Sequence, residues 1–283
     1  MIRSFSTLAA ACCLILSAGC ANLPKNTANT LQPKPLAFAD AATDGVPLRM
    51  AGPFLGDRKT ALTGRTILVK SVKDLVLQKG EFVLTFDDGP SPKYTDRILD
   101  TLDTNGVKAT FLMVGSMARA YPSMVRKVAA RGHTIGSHTQ HHADLAKLST
   151  EKALGEIREG QESIAAALTP MRVQAAPFFR FPYLSDTKAL RHALAAGGTV
   201  VIDADVDSKD YFVSTPDEVA SRSIARLDQR GSGIILFHDI HGRTAAMLPE
   251  FLAGLKRRGY TVVNIVPSNS HQSLQNLLIG AGT

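Results

Sequence analysis

The sequence predicts an α/β fold: a parallel sheet, curled into a (β/α) barrel and covered by helices, forming a single domain. Three observations lead there. Short apolar runs alternate with amphipathic segments of helical period from Thr66 to Ile265, the pattern of successive strand–helix units. About seven such units within roughly 200 residues suit one barrel better than two small domains. The 283 residues are 45% hydrophobic and 20% charged, which excludes a disordered, collagenous or coiled-coil chain.

The chain opens with Met1-Ile2-Arg3 and an apolar stretch from Leu8 to Ala18, which reads as an export signal over 1–19. The stretch is too short to span a bilayer as a mature helix. Its end, Leu16-Ser17-Ala18-Gly19-Cys20, resembles a bacterial lipoprotein signal, although Ser17 stands where Leu is usual. That resemblance implies cleavage before Cys20, a lipid on its thiol and membrane attachment. Because Ala21 follows instead of Asp, the implied place is the periplasmic face of an outer membrane. An ordinary secretory signal, leaving a soluble periplasmic or secreted protein, is the alternative. All three cysteines lie in the first 20 residues, so the remainder has neither a disulfide framework nor a thiolate metal site. Residues 20–65 hold Pro24, Pro33, Pro35, Pro47 and Pro53 without apolar periodicity and read as a flexible linker.

The domain is expected over 66–267. Strands are expected at Thr66–Val69, Phe82–Phe86, Thr110–Val114, His133–Gly136, Phe178–Phe181, Thr199–Ile202, Gly233–Phe237 and Tyr260–Ile265. Helices fall between them. Tyr94–Leu102 comes first, then Met117–Ala130 with a Gly132 stop. Thr150–Leu168 is opened by Ser149 or Thr150, with Glu151 in its first turn. Thr187–Ala195 follows, then Pro216–Gln229 capped by Thr215, and Ala245–Arg257. The tail, 268–283, offers a short closing helix at Leu274–Ile279. The net charge is +7, from 32 basic and 25 acidic side chains. The bases are scattered, and the longest run, Lys256-Arg257-Arg258, complements a helix C-terminus; no nucleic-acid partner is expected, and no protein partner is inferable.

In α/β folds chemistry sits just past the strand ends. Asp87-Asp88-Gly89-Pro90 follows the second strand; two adjacent carboxylates need a cation nearby, yet the same residues also suit a plain turn with a helix cap. His138 and His142 would share one face if their loop entered a helical turn, and two imidazoles at that spacing can share a metal, with Asp88 as a third donor. His133 reads as a strand-end hydrogen-bonding residue. Arg180 lies among aromatics at a strand end, and Asp203, Asp205, Asp207 and Asp210 follow another. Arg180 equally suits a surface position, and the four acids a solvated turn. His238 ends a strongly apolar strand, where an imidazole suits acid–base work.

Taken in order, these motifs resemble the polysaccharide deacetylases of carbohydrate esterase family 4, with their NodB-homology domain. Thr85-Phe86-Asp87-Asp88-Gly89-Pro90 matches the first family motif in full. His138 to His142 matches the second, His-x-x-x-His, and Arg180-Phe181-Pro182-Tyr183 the third. Asp207-Ser208-Lys209-Asp210-Tyr211 resembles the fourth, which usually ends in Trp, and Leu236-Phe237-His238 the fifth. The resemblance implies a distorted (β/α) barrel of the NodB type and a divalent metal, zinc first, on Asp88, His138 and His142, with other divalent ions able to substitute. It implies Asp87 as the general base, Arg180 as its orienting partner, His238 as the general acid and Asp210 as the support of its charge. The Tyr183 backbone N–H would serve the oxyanion, and Leu236 would line the acetyl pocket. Tyr211 alters the wall beside the acid, and Leu184 stands where Gly is common.

The implied activity is hydrolysis of N-acetyl groups on an N-acetylglucosamine-containing envelope or exported glycan, releasing acetate. An O-acetyl, xylan-type esterase on the same fold is the near alternative. A catalytically silent glycan-binding lipoprotein is a more distant one, disfavoured because binding alone needs no base and acid.

Overall fold

The computed structural model describes residues 61–268. The export signal, Cys20, most of the segment read as linker and the Leu274–Ile279 helix lie outside the described residues. Among the described residues no helix is long and apolar enough to cross a membrane.

Strand and helix alternate along the chain. The order is β1 (Thr63–Val69), β2 (Glu81–Asp87), α1 (Thr95–Thr104), β3 (Thr110–Met113), α2 (Gly115–Ala120), α3 (Pro122–Ala130) and β4 (Thr134–Ser137). Then come α4 (Thr150–Leu168), β5 (Phe178–Phe179), α5 (Lys188–Ala196), β6 (Val200–Val201), β7 (Val206–Asp207), α6 (Pro216–Arg230), β8 (Gly233–His238), α7 (Gly242–Arg257) and β9 (Thr261–Pro267). β1 begins inside the segment read as linker, where Thr63 pairs with Val262. Gly64 permits that approach, since a Cβ there would lie 2.9 Å from the Val262 carbonyl oxygen.

The single helix expected over Met117–Ala130 is two. Pro122 has no N–H to continue α2, and it restricts Tyr121 to a non-helical conformation (φ −128°, ψ 57°). α3 then starts with Pro122 in its first turn. Elsewhere the caps read in the sequence form: the Ser149 hydroxyl accepts from the Lys152 N–H, and Thr215 and Glu218 complete a reciprocal box at the start of α6.

Every strand pair is parallel. β2 is the hub, pairing with β3, β8 and the start of β9. From it the sheet runs one way through β3, β4 and β5 to β6, and the other way through β8 to β7. Among the described residues β6 and β7 share no ladder, so the barrel carries an open seam there. Strand residues alternate between two cores. Phe82, Leu84 and Phe86 face the helices with Leu99, Leu248 and Phe251, while Val83, Leu112, Phe178, Ile202, Ile234 and Ile265 fill the lumen. The C-terminal ends of β2, β4, β5 and β8 come out on the same rim, and the register sets Asp87 directly beside His238.

Candidate active site

Asp87 ends β2, and the next residue turns sharply: Asp88 is left-handed, with φ 75°. The adjacent carboxylates therefore diverge. Asp87 is buried (2% exposed), and its Oδ1 accepts from Arg180 Nη1 at 2.8 Å. Burial raises the Asp87 pKa, and the guanidinium opposes that rise by favouring the anion.

Arg180 follows β5 and is fully buried. Besides Asp87, it donates to Thr85 Oγ1 at 2.7 Å, to the Ile202 carbonyl at 2.8 Å and to the Asp203 carbonyl at 3.2 Å. The last two carbonyls lie in the β6–β7 connection, so one side chain holds the carboxylate of β2 and ties that connection to it. The alternative of a surface arginine is excluded. Thr85, to which the sequence reading gave no separate role, relays this: its hydroxyl accepts from Arg180 and donates to the Ile235 carbonyl at 2.7 Å.

His138 and His142 do come together, with ring centroids 4.9 Å apart, but not on a helical turn. Residues 138–142 form a loop in which Thr139 (φ 66°) and His142 (φ 58°) are left-handed. The Thr139 hydroxyl accepts from the His142 N–H at 3.0 Å, and the first turn of α2 holds the loop through Gly115 N–H to Thr139 O and Ser116 N–H to Gln140 O, both 2.9 Å. α4 presses from behind at Gly160, where a Cβ would meet the Thr139 carbonyl at 2.5 Å. Loop propensity and packing outweighed the helical reading of that spacing.

Asp88, His138 and His142 each offer a donor atom within 4.8 Å of the others. His138 Nδ1 lies 2.8 Å from the Arg180 carbonyl oxygen, so Nδ1 carries the proton and Nε2 presents its lone pair toward Asp88 Oδ1 at 3.5 Å. His142 Nε2 lies 3.3 Å from the same oxygen. That oxygen is buried without a hydrogen-bond partner among the described residues. Burial depresses the His138 pKa to about 3, which keeps the ring neutral, the form that ligates. A carboxylate and two imidazoles around an orphaned oxygen fit a divalent ion such as zinc. His141 is turned away, its Nδ1 2.8 Å from Glu156 Oε1.

On the other side of Asp87, His238 Nδ1 is 2.7 Å from Asp210 Oδ1, and the His238 backbone N–H donates to Asp210 Oδ2 at 2.8 Å. Thr244 Oγ1 adds a 2.6 Å bond to Oδ2. Burial alone would lower the His238 pKa; the bond to Asp210 and its charge, with Asp87 and Asp88 beyond, overcome it and raise the value to about 9. Asp210 correspondingly sits below the ordinary carboxylate value: its burial opposes ionisation, but His238 outweighs it. The other acids of that region are surface partners, Asp203 of Arg191 and Asp205 of Arg230, while Asp207 accepts from the Tyr211 hydroxyl at 2.8 Å.

Leu236, buried, shares the inward face with His238 at strand spacing. Tyr183 and Leu184 stand in left-handed conformations (φ 58° and 53°); Tyr183 is 67% exposed, with its ring edge-on to His142 at 4.6 Å. Tyr211 is edge-on to His238 at 5.5 Å. His133 lies at the opposite end of β4, accepting from the Ala109 N–H at 3.2 Å, with its pKa lowered to about 4 by burial.

Asp239 was given no role by the sequence. Fully buried, it accepts from Thr95 Oγ1 at 2.5 Å, and its N–H donates to the Asp87 carbonyl at 3.3 Å. Gly89 packs so closely that a Cβ there would meet the carboxyl at 2.1 Å. Burial lifts its pKa to about 7. The group braces the Asp87–Asp88 turn from below. Its signal was an acid directly following the strand-end histidine.

The polysaccharide deacetylase family model matches residues 76–202. A chitin deacetylase of Colletotrichum lindemuthianum is 33% identical over 200 residues, covering 66% of this chain and 79% of the relative. A peptidoglycan-N-acetylglucosamine deacetylase of Bacillus cereus is 35% identical over 184 residues, covering 62% of this chain and 66% of that protein. A Listeria monocytogenes enzyme of the same description is 34% identical, and the match spans only 37% of its length. Among solved structures, a peptidoglycan deacetylase of Bdellovibrio bacteriovorus superposes with a TM-score of 0.64 at 33% identity, covering 75% of this chain and 57% of the other. A family 4 carbohydrate esterase of Streptomyces lividans in complex with acetate gives 0.58 at 31%, covering 66% and 91%. With this fold, these strand-end residues and this extent of similarity, the chain belongs to the polysaccharide deacetylase family.

Proposed function

We propose that the protein is a metal-dependent polysaccharide N-deacetylase, hydrolysing the acetamide of an N-acetylglucosamine-containing envelope glycan to acetate and a free amine. The observation that carries this reading is a guanidinium-held carboxylate, Asp87, between a three-donor metal set and a cationic imidazole.

Asp88, His138 and His142 would hold a divalent ion, which when bound would supply Lewis acidity for the acetyl carbonyl and for water at the site. Asp87 takes a proton from the attacking water, with Arg180 fixing the carboxylate by holding Oδ1 and leaving Oδ2, 3.8 Å from His138 Nε2, on the side of the donor set. The Tyr183 backbone N–H supports the oxyanion, and Leu236 receives the acetyl methyl. His238 donates a proton to the departing nitrogen as the C–N bond breaks. An amine is a poor leaving group unless protonated, so a histidine held cationic favours amide over ester hydrolysis, and the deacetylase over the esterase.

Full-length protein loaded with zinc is expected to release acetate from N-acetylglucosamine oligomers faster than from O-acetylated xylan, and chelation is expected to abolish release. A faster reaction on the xylan would give the esterase; metal uptake with acetate from neither would give the silent binding protein.

The pH dependence follows from His238. Its folded pKa of about 9 lies above the unfolded value, so its stabilising interaction is complete below about pH 6.5 and fades as pH rises through 9. The acid form, and with it kcat, follows the same course. Asp210 supplies most of the upward shift; Asp87 and Asp88 add to it, and His241, itself lowered by burial, lies edge-on at 5.8 Å. In Asp210→Asn burial remains without the counter-charge. The alkaline limb of the rate profile is expected to fall from near 9 to below about 6.5, a loss of roughly 30-fold or more at pH 8. An unmoved limb would place the acid elsewhere.

A further inference from the structure

The loop after Tyr211 exposes three consecutive apolar side chains. Tyr211 and Phe212 are half exposed, and Val213 is 99% exposed. They extend the site: the Tyr211 ring stands between His238 at 5.5 Å and Phe212 at 4.8 Å, edge-on to both. Two cations converge on Phe212. Lys209 Nζ lies 5.5 Å over its ring, and Arg243 Nη1 donates to its backbone carbonyl. Among the described residues neither Lys209 nor Arg243 has an acidic ion-pair partner. The neighbouring carboxylate of Asp207 is engaged by the Lys209 N–H and the Tyr211 hydroxyl, both at 2.8 Å.

The opposite rim differs in charge. Tyr183 and Leu184 are exposed there too, but Lys147 is paired with Asp144, and Arg191 with Asp186 and Asp203. Aromatic surface alone would serve any sugar ring. An unneutralised pair of cations on one side only selects among sugars.

We infer that Phe212, Val213, Lys209 and Arg243 form a subsite for a carboxylate-bearing sugar unit adjacent to the acetylated one, on the His238 side of the site. The inference rests on the deacetylase reading and narrows its substrate to acidic glycans. The ring of the neighbouring unit lies on Phe212 and Val213, and its carboxylate meets Lys209 and Arg243.

The test compares chitotetraose, which is neutral, with a peptidoglycan glycan-strand tetrasaccharide that carries free lactyl carboxylates. Acetate release is measured with the zinc-loaded full chain, and binding with its Asp87→Asn form, which reads affinity without turnover. Wild type is expected to favour the acidic tetrasaccharide by about tenfold in both, the scale of two partly exposed charge contacts together with ordering of the ring. Combining Lys209→Asn, which suits the left-handed backbone at that position (φ 54°), with Arg243→Gln is expected to bring the ratio near one. It should also remove the salt dependence of the preference. Phe212→Ala is expected to weaken both ligands.

A wild-type ratio near one, or a preference that survives the double variant, overturns the subsite while acetate release still supports the deacetylase. No release from either sugar, with no binding preference, overturns both. A melting curve for each variant, matched to wild type within about 2 °C, shows that the changes are local.

Discussion

Asp87→Asn is expected to lower kcat/KM by roughly 10³-fold, the scale of a lost general base, while the protein still folds and still takes up one divalent ion. The amide keeps the size of the carboxylate, and its oxygen can still accept from Arg180 Nη1, now 2.8 Å from Oδ1. What disappears is the basic oxygen on the side of Asp88, His138 and His142. Because those three donors do not include Asp87, metal uptake measured by titration separates a lost base from a collapsed site. A variant that keeps activity within about tenfold of wild type would move the base to another residue.

Arg180→Leu is expected to cost about 3–5 kcal/mol of stability, the range found when one partner of a buried ion pair is removed, and to abolish activity. The loss has three sources. Asp87 keeps a buried charge without its counter-ion, Thr85 Oγ1 loses a donor, and the carbonyls of Ile202 and Asp203 lose theirs. Buried acceptors left without donors cost about 1–3 kcal/mol each before relaxation. Arg180→Lys is expected to recover little, because one ammonium cannot span acceptors on β2 and on the β6–β7 connection as a planar fork does. Urea unfolding of the three proteins checks this. A lysine variant within about 1 kcal/mol of wild type would show that charge alone is required.

The alternation of strands and helices was legible because each apolar run is short and each helix has a cap or a stop; Thr215 with Glu218 and Ser149 are readable one residue at a time. The split at Pro122 was readable too, since proline in a helical pattern marks a boundary, but the surrounding apolar spacing masked it. The His138–His142 loop was not legible. Its left-handed Thr139 and His142 are held by α2 and by the close approach of Gly160 on α4, contacts between segments far apart in sequence. The same holds for Asp239, whose burial depends on Thr95 and Gly89 arriving from the far side of the β2–β8 pair. Strand-end positions could be read from local pattern; which strand ends meet, and which acid ends up beneath the turn, is decided by the sheet order.

The seam between β6 and β7 has an evolutionary meaning. The side chain that ties the connection across it to β2 is Arg180, so anchoring of that connection and tethering of the base rest on one codon. A descendant that gave up hydrolysis would still be under selection to keep that arginine, since without it the Thr85 hydroxyl and the Ile202 and Asp203 carbonyls would lose their donor. Asp87 carries no such burden, because an asparagine can accept the same hydrogen bond. Among diverged copies of this gene, the arginine therefore records ancestry, and the carboxylate beside it records whether the chemistry is still in use.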